Sequence, residues 1–333
     1  MPNPCPLVSI SMVVYNSCEF VEKAIEGVLG QKIDFPIELV IGDDCSTDGT
    51  RMICERYEKQ FPGIVRLLPE EPNMGIAANT FRTLGNCRGK YIAICDGDDC
   101  WVDPHKLARQ VRFLEEHPRY GVVYTDVETV DETDNPVADA EQDQIRQDYS
   151  HGAVFIQLLG GNFINNSTAL FRRDLILDQT AILGRTYHIP DFIRWLHIAA
   201  RSRVHYFPYV STQYRRHSRG LSLNTSAETV AGNREAVYRA LHHILPAFDR
   251  HNNQPLTKTE HLIVFRRTMT TILFGRGTIR EKWRLTYLLP RYFPGLLPAY
   301  RWFVAKYWTG KLVPKATLVL LFPTDLLPFT ELI

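Results

Sequence analysis

The stretch that decides the fold is Tyr91-Ile92-Ala93-Ile94-Cys95-Asp96-Gly97-Asp98-Asp99, an apolar run that ends in three carboxylates. A short apolar run bounded by a turn signal is typical of a buried β-strand. In an open α/β sheet, the carboxyl ends of the strands form the edge that binds ligands. Carboxylates packed so closely repel one another unless a cation lies among them, and a divalent cation on oxygen ligands is often accompanied by a phosphate. The stretch therefore predicts a metal–phosphate site at a strand end, with a plain acidic turn as the alternative.

Alternating strand and helix patterns surround this stretch. Runs rich in β-branched residues that end at turn residues predict strands, and apolar residues at helical spacing predict helices between them. The predicted strands cover residues 8–14, 37–41 and 65–68, and the predicted helices cover residues 20–29, 52–57 and 76–84. Ser46 or Thr47 is expected to cap the second helix. The alternation predicts βαβ units and a mainly parallel sheet, so the strand ends at Tyr15, Asp44 and Asp96 should share one edge.

Composition and missing motifs narrow the function classes. The chain has 333 residues and a net charge of +1, which indicates no polyanionic partner for the whole protein, and we expect no nucleic acid. All seven cysteines lie in the first hundred residues without a CxxC pair, which favours a reducing cytosol over a disulfide framework or zinc site. The sequence shows no signal peptide and no apolar run of roughly 18 residues, so we expect a cytoplasmic protein. Neither GxGxxG nor a P-loop follows the first strand, which disfavours dinucleotide and P-loop enzymes.

Four motifs in the first half resemble those of glycosyltransferase family 2. They are residues 8–16, residues 43–50, the turn Asn73-Met74-Gly75, and the acidic turn at residues 96–99 followed by Pro104. One such motif is weak evidence, whereas their order and spacing agree with the family over roughly residues 7–125. The resemblance implies a GT-A fold, an α/β architecture whose mainly parallel, Rossmann-like sheet is flanked by helices. It also implies sugar transfer from a nucleoside diphosphate donor with inversion at the anomeric carbon.

The same resemblance implies a donor site. Its nucleotide-binding residues would be Tyr15, Asp43, Asp44, Asp96 and Asp98. Tyr15 would lie against the base, and Asp44 would hydrogen-bond the base or the ribose. Asp98 and Asp99 correspond to the metal and ribose carboxylates, and both are candidate ligands of Mg²⁺ or Mn²⁺. On the residues alone, Tyr15 also fits a tyrosine at the edge of the core, and Asp43 fits an acid that only fixes the turn.

The second half begins with a predicted helix over residues 107–114 and a predicted strand over residues 122–125. Residues 131–150 are acidic and polar, which predicts a mobile loop or hairpin between a donor half and an acceptor half, or a plain solvated connector. Residues 162–168 resemble the family stretch that contributes residues to the acceptor pocket. We therefore expect the acceptor half over about residues 150–225.

A catalytic base is expected at Asp191. The family places this base in an acidic pair or a single Asp at the start of a helix, and Pro190 stands here where a Glu is common. A fixed carboxylate beside the acceptor hydroxyl can take its proton as the new C–O bond forms. Helix capping is the structural alternative, because an acid at a helix start also stabilises the helix.

A basic segment at residues 214–222 resembles the loop that closes over the diphosphate in the family. The candidate diphosphate-binding residues are Arg215, Arg216 and Arg219. His217 is a candidate metal ligand, and a solvated basic loop is the alternative for the whole segment. The QxxRW pattern of processive synthases is absent around Arg194-Trp195, which favours a single addition.

Residues 226–333 are expected to form a mainly helical extension of a catalytic domain over residues 1–225. Residues 258–315 carry 12 Lys and Arg against two acids, with aromatic residues interleaved. Aromatic rings settle at the depth of lipid headgroups, while Lys and Arg meet lipid phosphates. Prolines interrupt any long helix in this tail. It therefore predicts peripheral attachment to the inner face of a bacterial membrane, with helices packed on the catalytic domain as the alternative.

Together these features predict an inverting, metal-dependent glycosyltransferase. The expected donor is a nucleoside diphosphate sugar, with UDP-sugars preferred, and the expected acceptor is a hydroxyl of a glycan or lipid-linked glycan in bacterial surface polysaccharide synthesis. A sugar nucleotidyltransferase is the enzyme alternative, because it also has carboxylates at the ends of its strands. It should carry a Gly-rich basic loop after the first strand, which Val14-Tyr15-Asn16-Ser17 does not provide. A catalytically degenerate glycan-binding subunit is the non-enzyme alternative, and the presence of every required acid argues against it.

Overall fold

An eight-stranded mixed sheet flanked by α-helices forms the centre of the fold. The computed structural model describes residues 5–159, 161–176, 190–220 and 244. The strands are β1 (Val8–Val14), β2 (Ile37–Asp43), β3 (Val65–Leu67), β4 (Tyr91–Ile94), β5 (Cys100–Trp101), β6 (Tyr120–Val130), β7 (Leu170–Arg172) and β8 (Arg203–Arg215). The helices are α1 (Val21–Leu29), α2 (Thr50–Gln60), α3 (Ile76–Gly85), α4 (Lys106–Glu116), α5 (Ala140–Gln147), α6 (Phe155–Leu158) and α7 (Pro190–Ala199).

The sheet order is β3-β2-β1-β4-β7-β6-β8-β5, and its first four strands run parallel. Val14 pairs with Asp43 and Ser11 pairs with Ile94, so the ends of β1, β2 and β4 meet at one edge. β7 lies between β4 and β6 and is antiparallel to both. β8 is parallel to β6 on one side and antiparallel to β5 on the other. This arrangement confirms the predicted α/β fold class and the predicted shared edge.

The apolar core brings the acidic turn against the end of β1. Its cluster of buried side chains includes Ile10, Ile25, Leu39 and Leu107. Burying one such side chain contributes about 1.5–3 kcal/mol relative to exposing it. A Cβ placed on Gly97 would lie 2.4 Å from Val14 Cγ1, so only glycine lets the turn approach the strand this closely. The carboxylates that flank Gly97 are therefore held close to the sheet.

The predicted cap of the second helix is wrong. α2 begins at Thr50 after Gly49, whose φ of 100° lies in the left-handed region, and neither Ser46 nor Thr47 caps the helix. Instead, Asp48 Oδ1 accepts hydrogen bonds from Thr50 N (3.0 Å) and Thr50 Oγ1 (2.6 Å). The turn therefore continues past the two predicted caps, because glycine adopts the left-handed conformation without strain.

The prediction of a loop or hairpin across residues 131–150 is right for the start of the segment and wrong for the part that contains α5. Val130 and Pro136 form an antiparallel bridge around a turn, whereas residues 140–147 are helical. Asp139 is the N-cap of α5 and accepts a hydrogen bond from Gln142 N (3.1 Å). Arg146, near the end of α5, pairs with Asp126 of β6 at 2.9 Å. Gln142 is the only buried residue of α5, so the sequence has no apolar stripe by which the helix could be predicted.

The predicted C-terminal extension lies outside the described residues, apart from Ile244. The chain divides into two compact units, residues 1–285 and residues 286–333, and the described residues all belong to the first. The domain boundary near residue 225 and the membrane attachment of the tail therefore stay predictions. Within the described part of the chain, no helix combines the length and apolar character needed to cross a bilayer.

Candidate active site

The acidic turn after β4 holds its carboxylates in different environments. The Asp98 side chain is 35% exposed, whereas Asp99 is only 4% exposed. Asp99 Oδ2 accepts a hydrogen bond from Ser167 Oγ (2.5 Å), and Asp99 Oδ1 accepts one from Arg215 N (3.0 Å). Burial, followed by the charges of Asp98 and Asp96, raises the pKa of the Asp99 carboxyl. Both oxygens of Asp99 are thus engaged inside the protein.

Asp96 is held by the segment that precedes β7. Asn166 Nδ2 donates to Asp96 Oδ2 (2.9 Å), and Asp96 N donates to Ser167 Oγ (3.1 Å). Burial raises the pKa of the Asp96 carboxyl to about 6, and the neighbouring charge of Asp98 adds to the shift. The turn therefore concentrates negative charge that a bound cation would relieve.

Asp98 faces His217, which lies in the segment after β8. His217 Nε2 lies 3.1 Å from Asp98 Oδ2, and its ring centroid lies 5.0 Å from that of Phe20. Among the described residues, no group of three or more His, Cys, Asp or Glu side chains could hold a metal ion. However, Mg²⁺ is commonly held by one or two carboxylates together with substrate phosphates, and imidazole is a common ligand of transition metals. The Asp98–His217 pair therefore fits a divalent cation that a diphosphate would complete.

The acids after β2 are satisfied by nearby backbone. Asp44 accepts hydrogen bonds from Met74 N (2.8 Å) and Gly75 N (2.9 Å), one on each carboxylate oxygen. Asp43 accepts from Ser46 N (3.3 Å) and is also buried. The structure thus places both acids at the predicted edge, where they brace the turns around the predicted donor site.

Tyr15 stands at the same edge with 54% of its surface exposed. The next residue, Asn16, has a φ of 49°, and its backbone N–H donates to Ser46 Oγ (2.9 Å). Asn16 Oδ1 in turn accepts from Thr47 N (2.9 Å). These bonds fix the turn after β1 to the turn after β2, so the Tyr15 ring is presented to solvent from a braced loop.

Asp191 lies in the first turn of α7, as predicted from the sequence. Asn162 Nδ2 donates to Asp191 Oδ2 (3.0 Å). Burial raises the pKa of the Asp191 carboxyl, and the positive charge of Arg194 opposes that shift. Arg194 is buried and donates to Asn166 Oδ1 (3.3 Å), the residue that also binds Asp96. Asn166 and Arg194 therefore connect the acidic turn to the candidate base.

The three predicted diphosphate-binding arginines have different surroundings. Arg215 is buried and bonded to the acidic turn. Arg216 pairs with Asp139 (3.1 Å) and Glu141 (2.6 Å) near α5. Arg219 pairs with Glu19 (2.5 Å), and both of these side chains are about half exposed. Of the three, Arg219 has the pairing that a ligand could replace most easily, because exposed ion pairs contribute little to stability.

Three polar residues of the site, Asn166, Ser167 and Arg194, were not predicted as site residues. Asn166 and Ser167 lie in a 3₁₀ turn over Asn166–Thr168, directly before β7. Since β7 pairs with β4, this turn is brought to the acidic end of β4. A short polar run before an apolar strand was the available sequence signal, but it does not reveal which strand is the neighbour.

The fold and the acids along one edge of its sheet fit the GT-A architecture that the sequence predicts. An α/β sheet carries acids and an exposed tyrosine along one edge, with a second acid at the start of α7. The family described as Glycosyl transferase family 2 matches residues 9–178. The chain belongs to this family.

Curated relatives support this assignment. An uncharacterized protein of Mycobacterium tuberculosis is 33% identical over 214 residues, which cover 64% of this chain and 60% of the relative. The match thus spans less than two thirds of the mycobacterial protein. A Bacillus subtilis protein, provisionally named teichuronic acid biosynthesis glycosyltransferase TuaG, is 38% identical over 116 residues, which cover 35% of this chain and 45% of TuaG.

Solved structures share the fold. The crystal structure of residues 1–349 of Staphylococcus aureus TarS with UDP-GlcNAc has a TM-score of 0.60 at 17% identity, covering 86% of this chain and 80% of that TarS fragment. The mannosyltransferase PcManGT of Pyrobaculum calidifontis, in complex with GDP-Man and Mn²⁺, has a TM-score of 0.53 at 18% identity, covering 91% of this chain and 84% of that protein. At these identities the likeness shows the GT-A fold alone.

Proposed function

We propose that the protein transfers a sugar, with inversion, from a nucleoside diphosphate sugar to a hydroxyl of a glycan or lipid-linked acceptor in bacterial surface polysaccharide synthesis. The observation that carries this proposal is the connection between two acids with separate tasks. Asp98 pairs with His217 at the end of β4, and Asp191 is linked to the same turn through Arg194 and Asn166. A single displacement needs such a division between leaving-group stabilisation and proton removal.

The donor would lie along the carboxyl edge of β1, β2 and β4. Tyr15 would pack against the base, while Asp43 and Asp44 hold the turns that frame it and Asp96 lies near the ribose. Arg219 is the arginine that would exchange its exposed partner Glu19 for the diphosphate. UDP-sugars are our preferred donors, supported by the same fold in a protein crystallised with UDP-GlcNAc.

Asp98 and His217 would hold Mg²⁺ or Mn²⁺ together with the diphosphate oxygens. When bound, this cation supplies positive charge to the leaving nucleoside diphosphate. The use of a divalent ion is supported by PcManGT, a fold neighbour whose structure contains Mn²⁺ with GDP-Man. Asp98 contributes the exposed carboxylate, and His217 Nε2 contributes the nitrogen that faces it.

Asp191 would take the proton from the acceptor hydroxyl. Asn162 orients the carboxylate through its hydrogen bond to Oδ2, and burial raises the pKa of Asp191, which makes its carboxylate a stronger base. Attack on the face opposite the leaving group would then proceed through an oxocarbenium-like state and invert the anomeric centre.

The test compares two aspartate variants of the full chain against a panel of UDP- and GDP-sugars with Mn²⁺. Asp191→Asn should keep donor affinity, measured by calorimetry, while turnover falls by roughly 10² or more, the usual size of a general-base contribution. Asp174→Asn, a matched change at an exposed aspartate, should leave both unchanged. Retained turnover in Asp191→Asn would exclude Asp191 as the base, and the absence of transfer from every donor would exclude the proposed reaction.

We further propose that residues 226–333 attach the catalytic domain, residues 1–225, to an anionic membrane surface. The support is the sequence alone, in which 12 Lys and Arg face two acids over residues 258–315. A basic side chain near an anionic leaflet contributes about 1 kcal/mol to binding. The full chain should sediment with anionic vesicles at low salt, and should remain in solution with neutral vesicles or at high salt.

A further inference from the structure

Arg215 is the centre of a buried network behind the Asp98–His217 pair. It is 3% exposed, and its guanidinium donates to Asp98 O (3.0 Å), Asp131 O (2.7 Å) and Asp134 Oδ1 (2.5 Å). The guanidinium carbon also lies 4.8 Å from the centroid of the Phe20 ring. Each of the three nitrogens of this side chain thus has a partner within the protein, which fixes the buried guanidinium in place.

Asp99 is the second member of this network. Its carboxylate lies between Ser167 Oγ and the backbone N–H of Arg215, and it uses one oxygen for each. Ser167 is completely buried, and its carbonyl oxygen accepts from Trp101 Nε1 (2.7 Å). Asp99 is therefore clamped from two directions, and each of its oxygens already accepts a hydrogen bond.

The network determines where His217 lies. His217 follows Arg215 by two residues, and its ring contacts the same Phe20 ring that lies beneath the Arg215 guanidinium. Arg215 is bonded both to the carboxylate of Asp99 and to the carbonyl of Asp98. The segment that carries His217 is consequently fixed in register on the turn that carries Asp98.

We propose that Asp99 and Arg215 are positioning residues, which hold His217 against Asp98, and that Asp99 is not a ligand of the divalent cation. This inference rests on the proposed function, which assigns the Asp98–His217 pair to that cation. It reassigns two residues that the sequence placed on the metal and on the diphosphate. Outer-shell residues of this kind typically change metal affinity by about 10–100-fold when they are removed.

Asparagine at position 99 distinguishes a metal ligand from a positioning residue. Asparagine keeps the shape of Asp99, its Oδ1 can accept from Arg215 N, and its amide can donate to Ser167 Oγ. Ser167 can then turn its own hydroxyl hydrogen towards Asp96 Oδ2, which lies 3.4 Å away. Asp99→Asn therefore preserves the clamp but removes a charged metal ligand, if Asp99 were one.

The experiment measures Mn²⁺ affinity of the full chain by electron paramagnetic resonance, with and without UDP. We expect Asp98→Asn to weaken binding by at least about tenfold, and Asp99→Asn to stay within about threefold of the unaltered chain. Arg215→Met removes no ligand and should weaken binding by about tenfold, with partial rescue in Arg215→Lys, which restores the positive charge and one donor nitrogen. Arg109→Met, a change at a partly exposed arginine of α4 that pairs with Asp103, is the matched control and should have no effect.

The outcomes distinguish this inference from the proposed function. Loss of Mn²⁺ affinity in Asp99→Asn as large as in Asp98→Asn would make Asp99 a ligand and overturn the inference, while the metal site itself would stand. Unchanged affinity in Arg215→Met would overturn the positioning role of Arg215. The absence of Mn²⁺ binding by the unaltered chain would instead contradict the proposed metal site, and the inference with it. Thermal unfolding in chelator verifies that each variant is folded before the comparison.

Discussion

The acidic ends of β2 and β4 lie at the same edge of the sheet, yet they are built differently. After β2, the two oxygens of Asp44 accept from the backbone of Met74 and Gly75, a turn without charged side chains. After β4, Asp96, Asp98 and Asp99 lie close together, and their partners are side chains and backbone from the 3₁₀ turn before β7 and from the segment around Arg215.

This difference distinguishes a carboxylate whose hydrogen bonds are satisfied within the fold from a cluster of carboxylates that repel one another. The backbone N–H groups of Met74 and Gly75 satisfy both oxygens of the Asp44 carboxylate without a ligand. In the turn after β4, by contrast, three carboxylates lie close enough to repel one another. Burial raises the pKa of both Asp96 and Asp99, and the charge of Asp98 adds to both shifts. Perturbed carboxylates of this kind concentrate at functional sites, where a bound cation or substrate relieves the repulsion.

The largest expected change in stability comes from removal of the Asp44 carboxylate. Asp44→Ala should lower the free energy of unfolding by about 3 kcal/mol, because it leaves two N–H groups without their charged acceptor. Chemical denaturation in chelator measures the change, and Asp34→Ala, at an exposed aspartate, is the control. A loss no greater than that of the control would mean that Asp44 is not the brace of its turn.

A smaller effect is expected from the removal of Arg194, whose charge acts on Asp191, the proposed base. Arg194 lowers the pKa of Asp191, so Arg194→Met should raise that pKa and move the rise of kcat with pH to higher pH, if Asp191 is the base as proposed. Arg194→Lys keeps the charge and should stay near the unaltered profile. A profile that stays fixed in Arg194→Met, or moves to lower pH, would contradict the link between Arg194 and the base.

The smallest effect tests the repulsion in the β4 turn. The folded-state pKa of Asp96 is raised to about 6 from an ordinary value of 3.8, so stability from its protonated form is present below pH 3.8 and is lost as the pH rises through 6. Asparagine mimics the neutral form and keeps an acceptor for Asn166. Asp96→Asn should therefore raise the free energy of unfolding at about pH 7.5 by about 1 kcal/mol, and the gain should shrink towards about pH 4.

Denaturation of the metal-free protein at several pH values measures this gain. Addition of Mn²⁺ with UDP should reduce it, because the cation relieves the same repulsion. A destabilised Asp96→Asn at about pH 7.5 would show that the hydrogen bonds of the charged carboxylate outweigh its repulsion.

The first four strands and the helices between them could be predicted because their signals are local. β1 follows from its β-branched residues and the turn that ends it, and α1 follows from apolar residues at helical spacing. The carboxylates after β4 follow directly from the quoted stretch. The sequence failed at α5, where only Gln142 is buried, and at the start of α2, where Gly49 replaces a side-chain cap. In both places the usual periodic or capping signal is absent.

The sequence by itself determined that this chain is an α/β protein with acids at the carboxyl edge of its sheet and another acid at the start of α7. Only the tertiary structure decided which acid faces outwards. Asp99 is engaged by Ser167, 68 positions away, and by Arg215, 116 positions away, whereas Asp98 faces His217, 119 positions away. Neighbouring carboxylates have the same chemistry in the sequence, and they differ only because the folded chain brings hydrogen-bond donors to one and leaves the other partly exposed.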